Sequence, residues 1–170
     1  MNLKQFIRDI PDFPKPGILF RDVTPLLSNP QAFNCVMEEF SKLLRAVPCD
    51  AIVGIESRGF IFGAALAQRE KLPFIPVRKP GKLPYEKKSV EYSLEYGAGQ
   101  LEIHSDALKR GQRVVIVDDL LATGGTMRAA VQLVELLGGK CSAFFCVVEL
   151  NELKGRALVG DGLVHSLIQY

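Results

Sequence analysis

The segment Val114–Thr126 constrains the fold of this chain more than any other part of the sequence. It begins with four consecutive aliphatic residues, Val114–Val117, which are typical of a parallel strand that is buried on both faces. Two acids, Asp118 and Asp119, come next, and a Thr-Gly-Gly-Thr turn then precedes an apolar helical pattern that ends before Gly138. The segment therefore predicts a strand, an acidic pair, a Gly-rich turn and a helix in immediate succession.

This succession suits a sugar phosphate, and a ribose phosphate in particular. The first N–H groups of a helix have no intrahelical partner, so a helix start attracts an anion. Carboxylates about one sugar away accept hydrogen bonds from vicinal hydroxyls, and open α/β sheets bind ligands at the carboxyl ends of their strands. We predict that the ribose hydroxyls bind Asp118 and Asp119. We predict that the phosphate binds Ala122, Thr123, Gly124, Gly125 and Thr126.

The alternative is a purely structural role, in which an ordinary acidic pair ends a strand and the glycines only form a turn. The close spacing of the pair and the turn favours the ligand site. The turn also lacks the Gly-x-x-x-x-Gly-Lys pattern of nucleotide triphosphatases and the Gly-x-Gly-x-x-Gly pattern of dinucleotide-binding folds. Those two kinds of nucleotide site are therefore disfavoured.

Composition limits the remaining classes of protein. The chain has 170 residues, 48% of them hydrophobic, which is enough for one sizeable core and favours a single domain over residues 1–170. A net charge of +2 with interspersed signs gives no footprint for nucleic acid or a membrane surface. The sequence shows no membrane-spanning stretch and no apolar signal core near its first residues, so we expect a cytoplasmic location.

The four cysteines and two histidines do not predict a metal site. The cysteines lack Cys-x-x-Cys spacing and mostly fall in apolar helix or strand patterns, which indicates buried, reduced thiols. His104 and His165 are too scattered to form a ligand set. We expect no metal ligands from the protein itself.

Strand and helix patterns alternate along the chain. Helical patterns cover residues 31–46, 60–67 and 127–137, and strand patterns cover 51–55, 74–77, 114–117 and 142–148. Residues 91–96 and 100–104 predict a hairpin around Gly97-Ala98-Gly99. Three prolines make residues 11–17 a shaped loop. This alternation predicts an α/β fold with a mostly parallel central sheet flanked by helices.

Three further segments carry candidate site residues. Ser57 and Arg58 follow the strand at 51–55 and begin a helix, so they form a second candidate anion site, unless Arg58 is only a solvated helix-start residue. The charged stretch from Arg78 to Tyr92 is either a solvated excursion or a mobile lid. Glu95 lies among aromatic and aliphatic neighbours that would raise its proton affinity, although an exposed strand position is the alternative.

The segment Phe13–Asp22 is a candidate binding loop for a flat base. Phe20 offers an aromatic face for stacking, and Leu19 and Arg21 offer main-chain N–H and C=O groups to the edge of the base. The alternative is that Phe20 simply packs into the core after a proline turn. The sequence of this loop alone leaves both interpretations open.

The run Val117–Thr126 resembles the phosphoribosyl pyrophosphate signature of type I phosphoribosyltransferases, and its sequence is similar to that of the adenine-specific members. The similarity extends over most of the chain. It includes the segments Phe13–Asp22, Glu56–Phe60, Arg78–Pro84, Ser93–Gly97 and Glu149–Arg156. The resemblance implies the type I phosphoribosyltransferase fold, with an N-terminal hood over residues 1–30 and a flexible catalytic loop with a hairpin over residues 78–96.

The resemblance implies purine salvage, in which a 5-phosphoribosyl group passes from phosphoribosyl pyrophosphate to N9 of adenine and gives AMP and pyrophosphate. It implies Mg²⁺ held mainly by substrate and water, and a homodimer. The charge pattern predicts no nucleic-acid or membrane partner. It assigns proton exchange on adenine to Glu95. It assigns pyrophosphate binding to Ser57, Arg58, Lys79 and Lys82. It assigns adenine binding to Leu19, Phe20, Arg21, Arg58 and Leu150.

Two other functions remain open. A phosphoribosyltransferase for xanthine, hypoxanthine or orotate would keep Asp118–Thr126 but alter the hood and the turn at Glu56–Arg58. A non-catalytic regulator would use the same fold to sense phosphoribosyl pyrophosphate and bind nucleic acid. Such a regulator usually needs a basic DNA-binding module, and the sequence contains none.

Overall fold

The computed structural model describes residues 1–94 and 97–170. Its strands are β1 (Arg8–Pro11), β2 (Leu19–Asp22), β3 (Ala51–Ile55), β4 (Phe74–Val77), β5 (Lys87–Leu94), β6 (Gly97–His104), β7 (Arg113–Leu121), β8 (Lys140–Glu149) and β9 (Val164–Gln169). Its helices are α1 (Thr24–Leu27), α2 (Pro30–Leu44), α3 (Arg58–Glu70), α4 (Gly125–Leu136) and α5 (Arg156–Val159). Short 3-10 turns lie at Leu3–Phe6, Asn151–Leu153 and Asp161–Leu163.

Five strands form the central parallel sheet, in the order β4-β3-β7-β8-β9. The middle strand, β7, contains the aliphatic run Val114–Val117, and all four of these residues are fully buried. Two separate antiparallel pairs, β1 with β2 and β5 with β6, flank this sheet. The predicted α/β fold with a mostly parallel sheet is therefore confirmed.

Helices cover both faces of β7, which explains its continuous apolar run. Val115 and Val117 pack into a core that includes α2 and α3, in which Phe40, Phe62 and Phe145 are the largest fully buried side chains. Val114 and Ile116, which point to the other face of β7, pack into a second core that contains α4 and part of β6. A strand buried on both faces has no reason to alternate apolar and polar residues.

Several predicted boundaries differ from the structure. β7 continues to Leu121, so the acidic pair lies within the strand and not after it. Strand β9 was not predicted at all. The predicted hairpin turn at residues 97–99 is wrong, because Gly97 already pairs with Leu94 as the first residue of β6. Residues 95 and 96 lie outside the described part of the chain.

The hairpin also takes up part of the charged segment that begins at Arg78. The first strand of the hairpin, β5, starts at Lys87. Residues 78–86 therefore connect the central sheet to the hairpin. An isolated bridge joins Arg78 to Glu102 on β6 and holds the base of this segment. None of the described helices combines the length and apolar character that a bilayer span requires.

Candidate active site

A cavity of about 450 Å³ lies beside the carboxyl ends of β3 and β7 and the first turns of α3 and α4. It brings together most of the predicted site residues. They are Ser57, Arg58, Lys79, Asp118, Asp119, Ala122, Thr123, Gly124, Gly125 and Thr126. The other lining residues are Glu56, Tyr92, Leu101, Leu120, Leu121, Met127 and Phe144.

The turn before α4 presents a helix start to this cavity. Gly124 precedes the helix with a φ of 88°, a left-handed conformation that glycine adopts without a Cβ penalty. No side chain caps the helix. Because the first N–H groups of a helix have no carbonyl partner within it, this end of the cavity is built to receive an anion.

The acidic pair on β7 also lines the cavity. Asp119 is only 5% exposed and accepts a hydrogen bond from Arg58 Nε at 2.5 Å. The Asp119 N–H donates to Asp118 Oδ1 at 2.9 Å. Burial, and next the neighbouring Asp119 charge, raise the pKa of Asp118 well above its usual value. Hydroxyl donors or a cation near Asp118 would favour its ionised form and lower this pKa again.

Arg58 connects the acidic pair to the N-terminal hood. Its guanidinium carbon lies 5.2 Å from the centroid of the Phe20 ring, while its Nε bonds to Asp119. The Phe20 ring in turn packs edge-on against Phe13, with centroids 5.1 Å apart. A single cation thus lies between a carboxylate that suits a sugar and an aromatic face that suits a base.

Glu56 anchors the segment that carries Lys79 to the cavity. Its carboxylate accepts hydrogen bonds from Arg78 Nε and from the Lys79 N–H, both at 3.1 Å. Burial alone would raise the pKa of Glu56, but these hydrogen bonds and the charge of Arg78 outweigh it and lower the pKa. Glu56 therefore stays ionised and holds the start of the charged segment beside the site.

Comparison with known proteins identifies the family. The model for the phosphoribosyl transferase domain matches residues 22–159. The adenine phosphoribosyltransferase of Pseudothermotoga lettingae is 54% identical over 170 residues, which is all of both chains. The chain belongs to the adenine phosphoribosyltransferase family. That of Carboxydothermus hydrogenoformans is 56% identical, again over the whole of both chains.

Solved structures of this family have the same fold. The crystal structure of the adenine phosphoribosyltransferase from Thermoanaerobacter pseudethanolicus has a TM-score of 0.96 and 53% identity, and the match covers 99% of this chain and 98% of that one. The Saccharomyces cerevisiae member, complexed with an imino-altritol bisphosphate and adenine, has a TM-score of 0.92 and 43% identity. That match covers 97% of this chain and 96% of the yeast chain.

Some residues that the family resemblance assigned to the site do not line the cavity. Lys82 is exposed, although its charge is close enough to help lower the pKa of Glu56. Leu19 is 45% exposed in the hood. Arg21 directs its side chain to Asp9 and stacks on the Tyr170 ring at 3.7 Å, which leaves only its main chain for a base.

Three assigned residues remain, and they are Phe20, Leu150 and Glu95. Phe20 lies outside the cavity lining and meets it only through its contact with Arg58. Leu150 is partly buried against the core that contains α2 and α3, and its N–H donates to the Leu121 carbonyl at 2.9 Å. Glu95 lies outside the described residues. The roles assigned to these three residues stay predictions.

Sequence reasoning did not identify Glu56, Tyr92 or Gly59 as site residues. Tyr92 projects from β5 into the cavity, where its hydroxyl accepts a hydrogen bond from the Thr126 hydroxyl at 3.4 Å. Gly59 lets α3 approach β7 at the acidic pair. Glu56 and Gly59 flank the predicted Ser57 and Arg58, so their place in that turn was the available signal.

Proposed function

We propose that this cavity binds phosphoribosyl pyrophosphate and transfers its 5-phosphoribosyl group to N9 of adenine, giving AMP and pyrophosphate. The chain thereby acts as an adenine phosphoribosyltransferase in purine salvage, as its family does. The observation that carries this proposal is that the acidic pair and the α4 start line the same cavity as Arg58 and Lys79. One diol site and two anion sites are what this substrate requires.

Each end of the substrate has a complementary part of the site. The 5-phosphate is bound by Ala122–Thr126, where the helix start supplies N–H donors. The 2- and 3-hydroxyls are bound by Asp118 and Asp119. The pyrophosphate lies against Ser57, Arg58, Lys79 and Lys82. Because Arg58 pairs with Asp119, hydroxyls that bind Asp119 would compete with Arg58 and release it toward the pyrophosphate.

The same groups lower the barrier to transfer. Cleavage of the anomeric C–O bond ahead of full attack by N9 leaves positive charge on the ribose ring, and the acidic pair supplies a complementary negative field. The cations Arg58 and Lys79 stabilise the charge on the leaving pyrophosphate. Closure of residues 78–96 over the site would exclude water, which prevents hydrolysis of the activated ribose.

The hood supplies the adenine site in this proposal. Phe20 provides one stacking face, Leu150 the apolar contact on the other side, and Leu19 and Arg21 read the base edge through their main chains. Arg58 closes the pocket, and its contact with the Phe20 ring supports this arrangement. The yeast structure is a complex with adenine, which is consistent with an adenine site in this family.

Mg²⁺ fits the donor set as a substrate-bound cofactor. Asp118 and Asp119 place carboxylate oxygens on the cavity, the kind of ligand that Mg²⁺ prefers. Among residues 1–94 and 97–170, no group of three or more His, Cys, Asp or Glu forms a cation site. The pyrophosphate and water would thus hold most of the ion, and Asp118 and Asp119 are the protein residues that would contribute to its binding. When bound, Mg²⁺ would neutralise charge on the pyrophosphate.

We propose Glu95 as the group that exchanges a proton with adenine. The neighbouring strands support this role, because Tyr92 on β5 and Leu101 on β6 both line the cavity. Glu95→Gln is expected to lower kcat by about 10²-fold, since a positioned acid or base contributes at least that much. The pH profile of kcat should also lose the limb that Glu95 controls. Exposed Glu91, on the same hairpin, gives the matched control Glu91→Gln.

The substrate proposal is tested by measuring turnover with adenine, hypoxanthine, xanthine and orotate. We expect AMP formation at least about 10²-fold faster than any other product, because a site that hydrogen-bonds one base edge leaves polar groups unpaired with another. Equal turnover with a second base would contradict the adenine assignment. Binding of phosphoribosyl pyrophosphate without turnover, together with co-purifying nucleic acid, would instead indicate a regulator.

We also propose that residues 1–170 form a single domain that acts as a cytoplasmic homodimer. The dimer is proposed from the resemblance to the family. The mass of the protein in solution, measured by light scattering, tests the oligomeric state.

A further inference from the structure

The turn at residues 122–126, called the phosphate turn below, packs through Gly124 on a glycine from a distant segment, Gly155. A Cβ on Gly155 would lie 2.3 Å from the Ala122 carbonyl oxygen and 3.1 Å from the Gly124 nitrogen. A Cβ on Gly124 would lie 2.5 Å from the Gly155 carbonyl oxygen. Two stretches of main chain are therefore in direct contact, with no room for a side chain on either of them.

The residue after Gly155 fixes it to the sheet. Arg156 donates from Nε to Glu149 Oε1 at 2.5 Å and from a terminal nitrogen to Glu149 Oε2 at 2.7 Å. It also donates to the Val164 carbonyl at 2.8 Å and to the Ser166 hydroxyl at 3.2 Å. The bidentate pair with Glu149 joins α5 to the end of β8, and the other two hydrogen bonds join it to the first half of β9.

The acid of this pair is built to remain ionised. Glu149 is 3% exposed, and the Ser166 hydroxyl also donates to it at 2.5 Å. Burial alone would raise its pKa, but the hydrogen bonds from Arg156 and Ser166 outweigh burial and lower the pKa. Glu149 pairs in register with Leu121, the last residue of β7 before the phosphate turn. Glu149 is thus connected to the phosphate turn in two ways, through Leu121 in the strand before the turn and through Arg156 next to Gly155.

We propose that Gly155, held by the Arg156–Glu149 pair, is a positioning residue that fixes the conformation of residues 122–124 so that their N–H groups converge on the 5-phosphate. This inference rests on the phosphate-binding role proposed above for Ala122–Thr126. A side chain at position 155 displaces the Ala122 carbonyl and the Gly124 N–H, and thereby weakens the phosphate end of the site alone. The pyrophosphate end, at Ser57 and Arg58, belongs to a different turn.

The test compares Gly155→Ala with Gly162→Ala by calorimetric titration with ribose 5-phosphate and, separately, with pyrophosphate. A Cβ on Gly162 meets no atom within 4 Å, so it is a matched control in the same part of the chain. We expect Gly155→Ala to weaken ribose 5-phosphate binding about tenfold, the effect of losing one charge-assisted hydrogen bond, with pyrophosphate binding nearly unchanged. The KM for phosphoribosyl pyrophosphate should rise more than kcat falls.

A second variant covers the case in which Gly155→Ala does not fold. Arg156→Lys keeps the positive charge but loses the bidentate pair with Glu149. It should therefore weaken ribose 5-phosphate binding by a smaller factor and again leave pyrophosphate binding nearly unchanged. Equal losses for the two ligands, or none, would overturn the positioning role.

A third variant separates this inference from the proposed function. Gly124→Ala distorts the phosphate turn directly, because Gly124 has a left-handed φ. If Gly124→Ala binds ribose 5-phosphate normally, the phosphate site itself is misassigned. If Gly124→Ala loses binding while Gly155→Ala and Arg156→Lys retain it, only the positioning role fails.

Discussion

Replacement of both acids, Asp118→Asn with Asp119→Asn, is expected to lower kcat/KM for AMP formation by about 10³-fold. The two amides still hydrogen-bond to ribose hydroxyls, but they no longer supply a negative field for the positive charge that develops on the ring. Loss of one preorganised electrostatic group commonly costs about 10²-fold to 10³-fold. Initial rates with saturating adenine and varied phosphoribosyl pyrophosphate measure the effect.

The single substitution Asp118→Asn should make the protein more stable while it lowers activity. The pKa of Asp118 is raised in the folded state, so keeping it ionised opposes folding. This penalty is complete above the folded-state pKa and disappears as the pH falls to the unfolded value near 3.8. Its removal at neutral pH should stabilise the protein by about 1 kcal/mol, or roughly 2–4 °C in Tm.

The partner acid should behave in the opposite way. Asp119→Asn leaves Arg58 without its buried carboxylate, so that variant should lose stability while Asp118→Asn gains it. Thermal unfolding at pH 7.5 and pH 5 separates the two, and the gain from Asp118→Asn should shrink at the lower pH. Asp106 is exposed, so Asp106→Asn is the control for replacing a carboxylate with an amide away from the site. Normal turnover in the variant that carries both Asp118→Asn and Asp119→Asn would refute the role of the acidic pair in ribose binding and transfer.

The central motif could be predicted because its causes are local. Four aliphatic residues buried on both faces, two acids and a glycine turn lie next to one another in sequence, and the structure has β7, the acidic pair and α4 there. Strand β9 lacked such a signal. It is an edge strand whose burial is confined mainly to Val164 and Ile168, so its sequence shows neither a continuous apolar run nor a clean alternation.

The contacts between distant segments could not be predicted in the same way. Arg58 with Asp119, Glu56 with Arg78, and Gly155 with the phosphate turn each depend on where two elements meet in the sheet. Arg21 is a further case, because the β1–β2 register places it opposite Asp9, which captures its side chain. Residue types indicated which chemistry was present, while the pairing of these residues is a property of the tertiary structure.

Gly59→Ala is expected to impair both the stability and the activity of the protein. A Cβ at this position would lie 2.7 Å from Asp118 Oδ1 and 2.8 Å from the Val117 carbonyl oxygen. Because the carbonyl belongs to the central strand and Asp118 is packed beside it, α3 would have to move away from β7. We expect a loss of about 3 kcal/mol, the upper end for overpacking, and more than about 10²-fold in kcat/KM from the displaced acid.

A second glycine in α3 provides the matched comparison. At Gly63 a Cβ would come no closer than 3.0 Å, and the nearest atom belongs to the Phe74 ring, which can shift by a few tenths of an ångström. Gly63 lies inside the helix and gains about 1 kcal/mol of helix propensity as Ala, whereas Gly59 lies in the first turn and gains no more than that. A large loss at Gly59 alone would therefore reflect its overlap with Asp118 and the Val117 carbonyl. Urea unfolding and initial rates should therefore show Gly63→Ala close to wild type and Gly59→Ala strongly impaired. If the two variants are alike, close packing of α3 on the acidic strand does not set the geometry of the ribose site.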